Sequence, residues 1–422
     1  MNLAALLVGV FAFLLYLAWE SHSLRRQRDT IALRLSVTGT RGKSSVVRII
    51  AAILRADGRT VVAKTTGSQA RFILPDGREL EVPRRGPPSI IEQKRLIKLA
   101  SRCRADCLVA EVMSIHPENH WVESRQILQP QMVVITNVRP DHLEAMGETK
   151  AEIAAVLSLA IPAHCRVFVP EKENYAPFAA AVEQSGGELI AVPPGLAARL
   201  LPPAPELQKT EFADNLDLAA AVTSHLGITA EIIWQGMRQA QYDLGKFGVW
   251  RYRSPETQKT HYFVNGFAAN DPESTWQVLA KAREILPAAA HRVHGLLSLR
   301  PDRGDRTQQW LHVLAAGAHE HFGKLYVTGA HAPLVARRLQ SAAARPAPAG
   351  RRSTALPATP GNSALPSSKK VGILKGKTAA AMMQTLLAEC EDQSVIFGFG
   401  NIKGTGELLV NHWKAIGEIY GL

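Results

Sequence analysis

The sequence predicts an α/β protein: a P-loop-containing parallel sheet as a central domain, a smaller C-terminal α/β domain and an N-terminal membrane helix. Three observations carry that expectation. Short apolar, strand-like runs alternate with segments of helical period through most of the 422 residues. A glycine-rich turn, Gly39-Thr40-Arg41-Gly42-Lys43-Ser44-Ser45, joins the first such run to the first such helix. Leu3 to Trp19 contains no charged residue and is followed by Glu20, Arg25, Arg26 and Arg28.

The glycine turn comes first because it carries chemistry. Leu33-Arg34-Leu35-Ser36-Val37 alternates as a strand does, and Val46 to Ala56 has helical spacing that stops before Gly58. A turn between the two aims backbone N–H groups and the positive helix end at one point. Polyphosphate binds such a point, with Lys43 adding charge and the Ser44 hydroxyl placed to hold Mg²⁺. The spacing is not that of the general P-loop, whose first glycine would fall at Val37; it is a shorter Gly-x-x-Gly-Lys-Ser preceded by Val-Thr. Gly39, Thr40, Arg41, Gly42, Lys43, Ser44 and Ser45 are therefore the expected ATP-binding residues.

The apolar stretch of 17 residues is at the short end for crossing a bilayer. A signal peptide would carry positive charge before the stretch and a small-residue cleavage site after it, and neither pattern stands here. Arginines after the stretch place the body in the cytoplasm. The competing reading is a buried N-terminal helix. The expected domains are an anchor at 1–24, a P-loop domain at 25–255, and a C-terminal α/β domain at 256–422. The last boundary is set in the polar stretch Arg253–Lys259. An insertion at 341–370, rich in alanine, proline, serine and arginine, is expected to be flexible.

Cysteines at 103, 107, 165 and 390 form neither a disulfide framework nor a zinc pattern. A formal charge of +12 calls for a polyanionic partner or an anionic membrane. No helix-turn-helix, zinc-finger or aromatic RNA-binding signature is present, so no nucleic acid is expected.

After the turn helix, Thr60–Lys64 reads as a strand and Arg71–Val82 as a hairpin about Pro75-Asp76-Gly77. A basic loop at 84–88, a helix from Ile90 to Ser101 and a strand at 107–110 follow. Glu111 ends that strand, where a carboxylate completes Mg²⁺ coordination. His116 to Leu128 reads as helix, and Met132 to Thr136 as a strand that ends in Asn137. Ligands collect at the C-terminal ends of parallel strands, so the turn, Glu111 and Asn137–His142 should share one edge. There Asp141 and His142 would bind a second cation, or His142 would contact the phosphate being transferred.

These residues resemble the Mur ligases and folylpolyglutamate synthases. The resemblance rests on five ordered motifs between about residues 33 and 410: the turn, Glu111, Thr136-Asn137-x-x-x-Asp141-His142, Asn265 to Pro272 with Arg300 to Arg306, and Phe397-Gly398-Phe399-Gly400-Asn401. It is nearest to the catalytic subunits of poly-γ-glutamate synthase. It implies a ligase that uses ATP and Mg²⁺ to activate a carboxylate as an acyl phosphate, which an amine then attacks. It further implies that Asn137 and Asn270 serve the nucleotide and that Lys43, Glu111, His142, Arg300, Asp302 and Arg306 act in catalysis. Ser44, Glu111 and His142 would hold metal. Glutamate, an anionic polyglutamate chain and integral membrane partner subunits are the implied partners. One departure stands out: the lysine that many Mur ligases carry about fourteen residues after the histidine is replaced by Val156. The alternatives are a folylpolyglutamate or Mur-type amino-acid ligase, and a membrane-anchored P-loop ATPase that energises transport or regulates.

Overall fold

Residues 33–38 fold into strand β1 (Leu33–Thr38), whose last four residues are buried. In the computed structural model, which describes residues 3–67, 69–84, 86–203, 211–242, 244–343 and 371–421, β1 sits inside a mixed sheet. Its other strands are β2 (Val61–Thr65), β3 (Arg71–Ile73), β4 (Glu79–Glu81), β5 (Cys107–Glu111), β6 (Met132–Ile135), β7 (Arg166–Pro170) and β8 (Glu188–Val192). The order is β4-β3-β2-β5-β1-β6-β7-β8, with β3 antiparallel to both β2 and β4 and the remaining pairs parallel. The chain leaves β1 toward β2 on one side and later adds β6 on the other. The crevice beyond β1 is therefore a switch point of the topology, where α/β sheets bind ligands.

Helix α2 (Lys43–Ala56) follows the glycine turn and is buried along Val46, Val47, Ile49, Ile50, Ile53 and Leu54. It packs against the helices Ala213–His225 and Ala230–Gln239. Gly236 permits that approach, since a Cβ there would lie 2.3 Å from the Ile53 Cα. Helix α3 (Glu92–Arg102) lies on the opposite face, because the crossovers that carry α2 and α3 traverse the sheet in opposite directions. There Leu96, Ile97 and Ala100 join Leu108, Ala110, Ile127 and Leu128 in one core cluster.

The N-terminal helix α1 spans Leu3–Asp29 and is long and apolar enough to cross a membrane; residues 3–19 are exposed. The expected break after residue 24 does not occur. The helix runs unbroken into the body, where buried Arg28 donates from Nη1 to the carbonyls of Gln126 (3.0 Å) and Ile127 (3.3 Å).

The second sheet contains β9 (Val249–Arg253), β10 (Thr260–Asn265), β11 (Val293–Leu299), β12 (Leu325–Gly329), β13 (Val371–Ile373), β14 (Ser394–Gly400) and β15 (Glu418–Ile419). Their order is β13-β12-β11-β14-β10-β9-β15. On one face Trp413 stacks on Phe263 and Phe267, with ring centroids 5.4 and 5.6 Å away. The expected boundary at 255/256 is corrected: the chain divides into two compact units with the break between Gln241 and Tyr242. Arg253 does not end a domain, because β9 pairs antiparallel with β10 and belongs to the second sheet. Of the expected insertion, residues 341–343 end the helix Ala332–Ala343 and 344–370 lie outside the described residues, as does Arg85 of the basic loop.

His294 in β11 is 6% exposed and neither ring nitrogen has a hydrogen-bond partner. Burial, reinforced by Arg292, pushes it from 6.5 down to about 4. The unfolded chain then binds the proton more readily, so stability is intact above about pH 6.5, falls as pH drops, and stops falling below about pH 4. The loss at this one site should be on the order of 3 kcal/mol. Urea denaturation in detergent, repeated across this range, should show the midpoint falling with acid. His294→Phe should flatten the slope, and an unchanged slope would refute the assignment.

Candidate active site

The glycine turn is pinned to the segment after β6. Thr40 N donates to Asn137 O at 3.1 Å, and Arg139 N donates to Thr40 Oγ1 at 3.0 Å. The Asn137 side chain closes the contact from both ends: Oδ1 accepts from Arg41 N and Nδ2 donates to Arg41 O, each at 3.0 Å. Asn137, expected at the nucleotide, therefore braces the turn. Gly39 (φ +113°) and Gly42 (φ +82°) adopt left-handed conformations. A Cβ on Gly39 would lie 2.3 Å from Thr136 Oγ1 and 2.8 Å from Thr136 N; one on Gly42 would lie 2.5 Å from Asn215 Oδ1.

Glu111, paired with Val37 across the β1–β5 ladder, is 3% exposed. Its Oε2 accepts from Ser44 Oγ and from Thr66 N, both at 2.7 Å. Ser44, in the first turn of α2, and Glu111 thus meet as the sequence suggested. Lys43 Nζ folds over the turn and donates to Gly39 O at 2.7 Å and Thr40 O at 3.3 Å. Burial pushes its ammonium down from the ordinary value, with Glu111 opposing. Ser45 follows on α2 as a half-buried residue.

Behind Glu111 stands a network that the sequence did not reveal. Gln93 Nε2 donates to Glu111 O (3.0 Å) and to Glu123 Oε1 (2.6 Å). Glu123 Oε2 also accepts from Ser114 N at 2.9 Å and from the Ser114 hydroxyl. Lys64, fully buried, lies 3.2 Å from Glu92 Oε2, and Arg84 Nε donates to Glu92 Oε1 at 2.7 Å. Glu123 belongs to a π-helical segment, Val122–Leu128, that continues the helix Pro117–Trp121. The single helix expected from 116 to 128 is thus two geometries. His120, 1% exposed, has no partner on either ring nitrogen, and burial together with the Lys43 charge lowers it to about 4.

Arg41 Nη1 donates to Asp141 Oδ2 at 2.9 Å, and His142 Nε2 lies 3.9 Å from Asp141 Oδ1. Among the described residues no three His, Cys, Asp or Glu side chains group as a metal cluster. The Ser44 and Glu111 oxygens do meet, and such hard donors fit Mg²⁺, which takes one or two carboxylates and completes its shell with phosphates and water. Val156, where a lysine was the alternative, packs beside the core cluster around Ile153 and Leu157.

In the second unit, Arg300 Nε and Nη2 hold both carboxylate oxygens of Asp302 at 2.9 and 2.5 Å just beyond β11. Arg306 Nη1 donates to Asn401 Oδ1 at 3.2 Å, and Asn401 is fixed by its N–H and Nδ2 on Ser298 O. Asn270 has a left-handed φ of +63°, one residue before Asp271, which caps the helix Pro272–Ile285 by accepting from Ser274 N at 2.9 Å. Arg300, Asp302, Arg306 and the late Gly398–Asn401 run therefore gather at the C-terminal ends of β11 and β14.

Gly39→Ala should lose nucleotide binding. The clash is with backbone, and the left-handed strain costs ~1–2 kcal/mol by itself. Gly42→Ala meets only a side-chain end, so Asn215→Ala should partly rescue it. Titration with a fluorescent ATP analogue checks both, with circular dichroism to confirm folding. Equal affinities for Gly39→Ala and wild type would refute the loop geometry.

Residues 37–190 match the Mur ligase middle domain, and residues 250–416 match the poly-gamma-glutamate synthase CapB C-terminal domain. The chain is 31% identical over 302 residues to capsule biosynthesis protein CapB of Bacillus anthracis, covering 70% of this chain and 63% of that protein. It thus spans less than two thirds of that relative. It is 32% identical over 296 residues to PGA synthase CapB of Bacillus subtilis (strain 168), covering 69% of this chain and 73% of that protein. Among solved structures, the bifunctional folylpolyglutamate synthase/dihydrofolate synthase of Yersinia pestis, complexed with AMPPNP and Mn ion, has a similar fold. The TM-score is 0.63 at 14% identity, over 96% of this chain and 97% of that one. The chain belongs to the CapB family of poly-γ-glutamate synthases, built on a Mur ligase middle domain.

Proposed function

We propose that this protein is an ATP-dependent carboxylate–amine ligase that extends a γ-linked glutamate polymer through an acyl phosphate. The observation that carries the reading is the Ser44–Glu111 contact beside a lysine-bearing glycine turn, which fits a nucleotide with a divalent cation. A solved relative in fold carries AMPPNP and manganese, and two relatives in sequence are a capsule biosynthesis protein and a PGA synthase.

In the proposed reaction a carboxylate oxygen attacks the γ-phosphorus, the β–γ P–O bond breaks and ADP leaves. The amine of the second substrate attacks the acyl carbon, loses a proton, and phosphate departs with the original carboxylate oxygen. Glutamate and the growing chain are the reactants. The protein must bring two anions together, so its contribution is charge neutralisation and alignment. Phosphate oxygens would replace the carbonyls of Gly39 and Thr40 as acceptors for Lys43. Ser44 and Glu111 would hold Mg²⁺, which supplies charge neutralisation at the phosphates. His142 would meet the transferring phosphoryl group. Asn270 would serve the nucleotide, and Arg300, Asp302 and Arg306 would act in catalysis. Helix α1 would anchor the protein in the cytoplasmic membrane with the body in the cytoplasm, beside membrane subunits that handle the polymer.

Lys43→Ala should abolish ATP binding while leaving the fold intact, since the side chain contacts only the turn itself. Wild-type affinity in that variant would sink the nucleotide assignment.

With ¹⁸O-labelled glutamate or polymer carboxylate, label should appear in released phosphate, and release should require the acceptor. Glu111→Ala and Arg306→Ala should each lower the transfer about 10²–10³-fold if each acts as one electrostatic donor in a dry site. Vigorous ATP hydrolysis without acceptor and without label transfer, in native membranes, would identify a transport or regulatory ATPase instead.

A further inference from the structure

Two polar contacts fix the direction of α1 relative to the catalytic sheet. Glu20 Oε1 accepts from Lys94 Nζ at 3.0 Å, in the first turn of α3. Just past the far end of α1, Thr30 Oγ1 donates to Ser101 Oγ at 3.1 Å, in the last turn of α3. The two helices therefore run parallel, side by side. Helix α3 leads into β5 as a crossover, so its N-terminus lies at the strands' C-terminal edge. Gln93 confirms this by reaching the Glu111 carbonyl, while at the opposite edge Leu33 N donates to Asp106 O at 3.0 Å. Glu20 is the first charged residue after the apolar stretch. It is thus level with the edge that carries the 39–45 turn and Glu111. The membrane end of α1 and the catalytic edge of the sheet are on the same side.

At that side the chain before α3 forms a small apolar projection, Gly86-Pro87-Pro88-Ser89-Ile90-Ile91. Residues 86–89 are exposed, Ile90 packs inward on the core cluster, and Ile91 is 55% exposed. Arg84 and Lys94 on either side of it are paired with Glu92 and Glu20, and α3 goes on to present the exposed basic residues Arg95 and Lys98, while Glu92 is buried on Lys64 and Arg84. An apolar tip followed by exposed basic residues matches the boundary between acyl chains and anionic headgroups.

We propose that the Gly86–Ile91 loop is a second membrane contact, seated in the headgroup layer of the same bilayer that holds α1, so that the nucleotide turn and Glu111 face the membrane surface. This rests on the reading of α1 as an anchor. Because Glu92 and Gln93 follow the loop directly and buttress Lys64 and Glu111, lipid contact would steady the metal-binding strand end.

The test uses the full chain in vesicles of phosphatidylethanolamine and phosphatidylglycerol. Single cysteines are placed at Ile91→Cys, Pro87→Cys, Leu14→Cys and Asp76→Cys in a Cys103→Ser background, since Cys107, Cys165 and Cys390 are buried. Each carries an environment-sensitive fluorophore, and ATP binding by each labelled protein confirms its fold. Asp76 lies in the hairpin turn at the opposite edge of the sheet. Labels at 91 and 87 should shift to the blue and lose emission to lipids spin-labelled near the headgroup. The label at 14 should lose emission to deeply spin-labelled lipids, and that at 76 to neither. If 91 and 87 behave as 76 does while 14 is quenched, the second contact is wrong and the anchor stands. If 14 is not quenched, the anchor reading fails and takes this proposal with it.

Discussion

The first unit is organised around one close approach: the backbone of the glycine turn against the backbone of residues 136–139. Thr40 and Asn137 bond across it, and only glycine fits at position 39, where any side chain would meet Thr136. That approach ties down the Thr40 and Arg41 N–H groups and sets the start of α2. It thereby places Ser44 against a strand-end carboxylate that arrives from residue 111. Moving the turn by an ångström would break the Ser44–Glu111 contact.

The carboxylates behind this surface are held by different means. Glu111 shares its oxygen between a hydroxyl and a backbone N–H at the edge. Glu123 is buried deeper, and burial pushes it above the usual carboxylate range even though Gln93, Ser114 and the Met113 N–H oppose the shift. Glu92 is drawn below that range: burial would raise it, but Arg84 and Lys64 together outweigh burial. A buried ion pair of this kind contributes little net stability, yet removing one partner leaves an uncompensated charge. The network therefore specifies the position of the strand end more than it stabilises the fold.

What was legible in the sequence was whatever local chemistry dictates. The β1–turn–α2 unit was readable because glycine, lysine and serine sit where strand period gives way to helix period. Glu111 was readable because four apolar residues precede it. The π-helical segment was not, since one extra residue per turn leaves the apolar positions of 116–128 still looking helical. Nor was the unit boundary: Val249–Arg253 carries two arginines and two aromatics, and only its pairing with β10 makes it a strand. Gln93, His120 and Asn215 reach the site from separate helices, so no linear spacing marks them. Asn137 was found, but its role is to hold the turn, because its amide matches the two backbone groups of Arg41.

The continuity of α1 with the body has a mechanical consequence. Its apolar stretch of 17 residues rises about 25 Å at 1.5 Å per residue, whereas a hydrocarbon core is about 30 Å thick. A helix shorter than its bilayer is drawn inward, with the lipid thinning locally and flanking arginines snorkelling to the surface. Because Arg28 and Leu24 clamp this helix into the first unit, with α1 anchored as proposed that pull would act on the whole unit as on a short lever. The thickness of the surrounding lipid would then set how closely the body is held against the membrane, a thicker bilayer holding it closer.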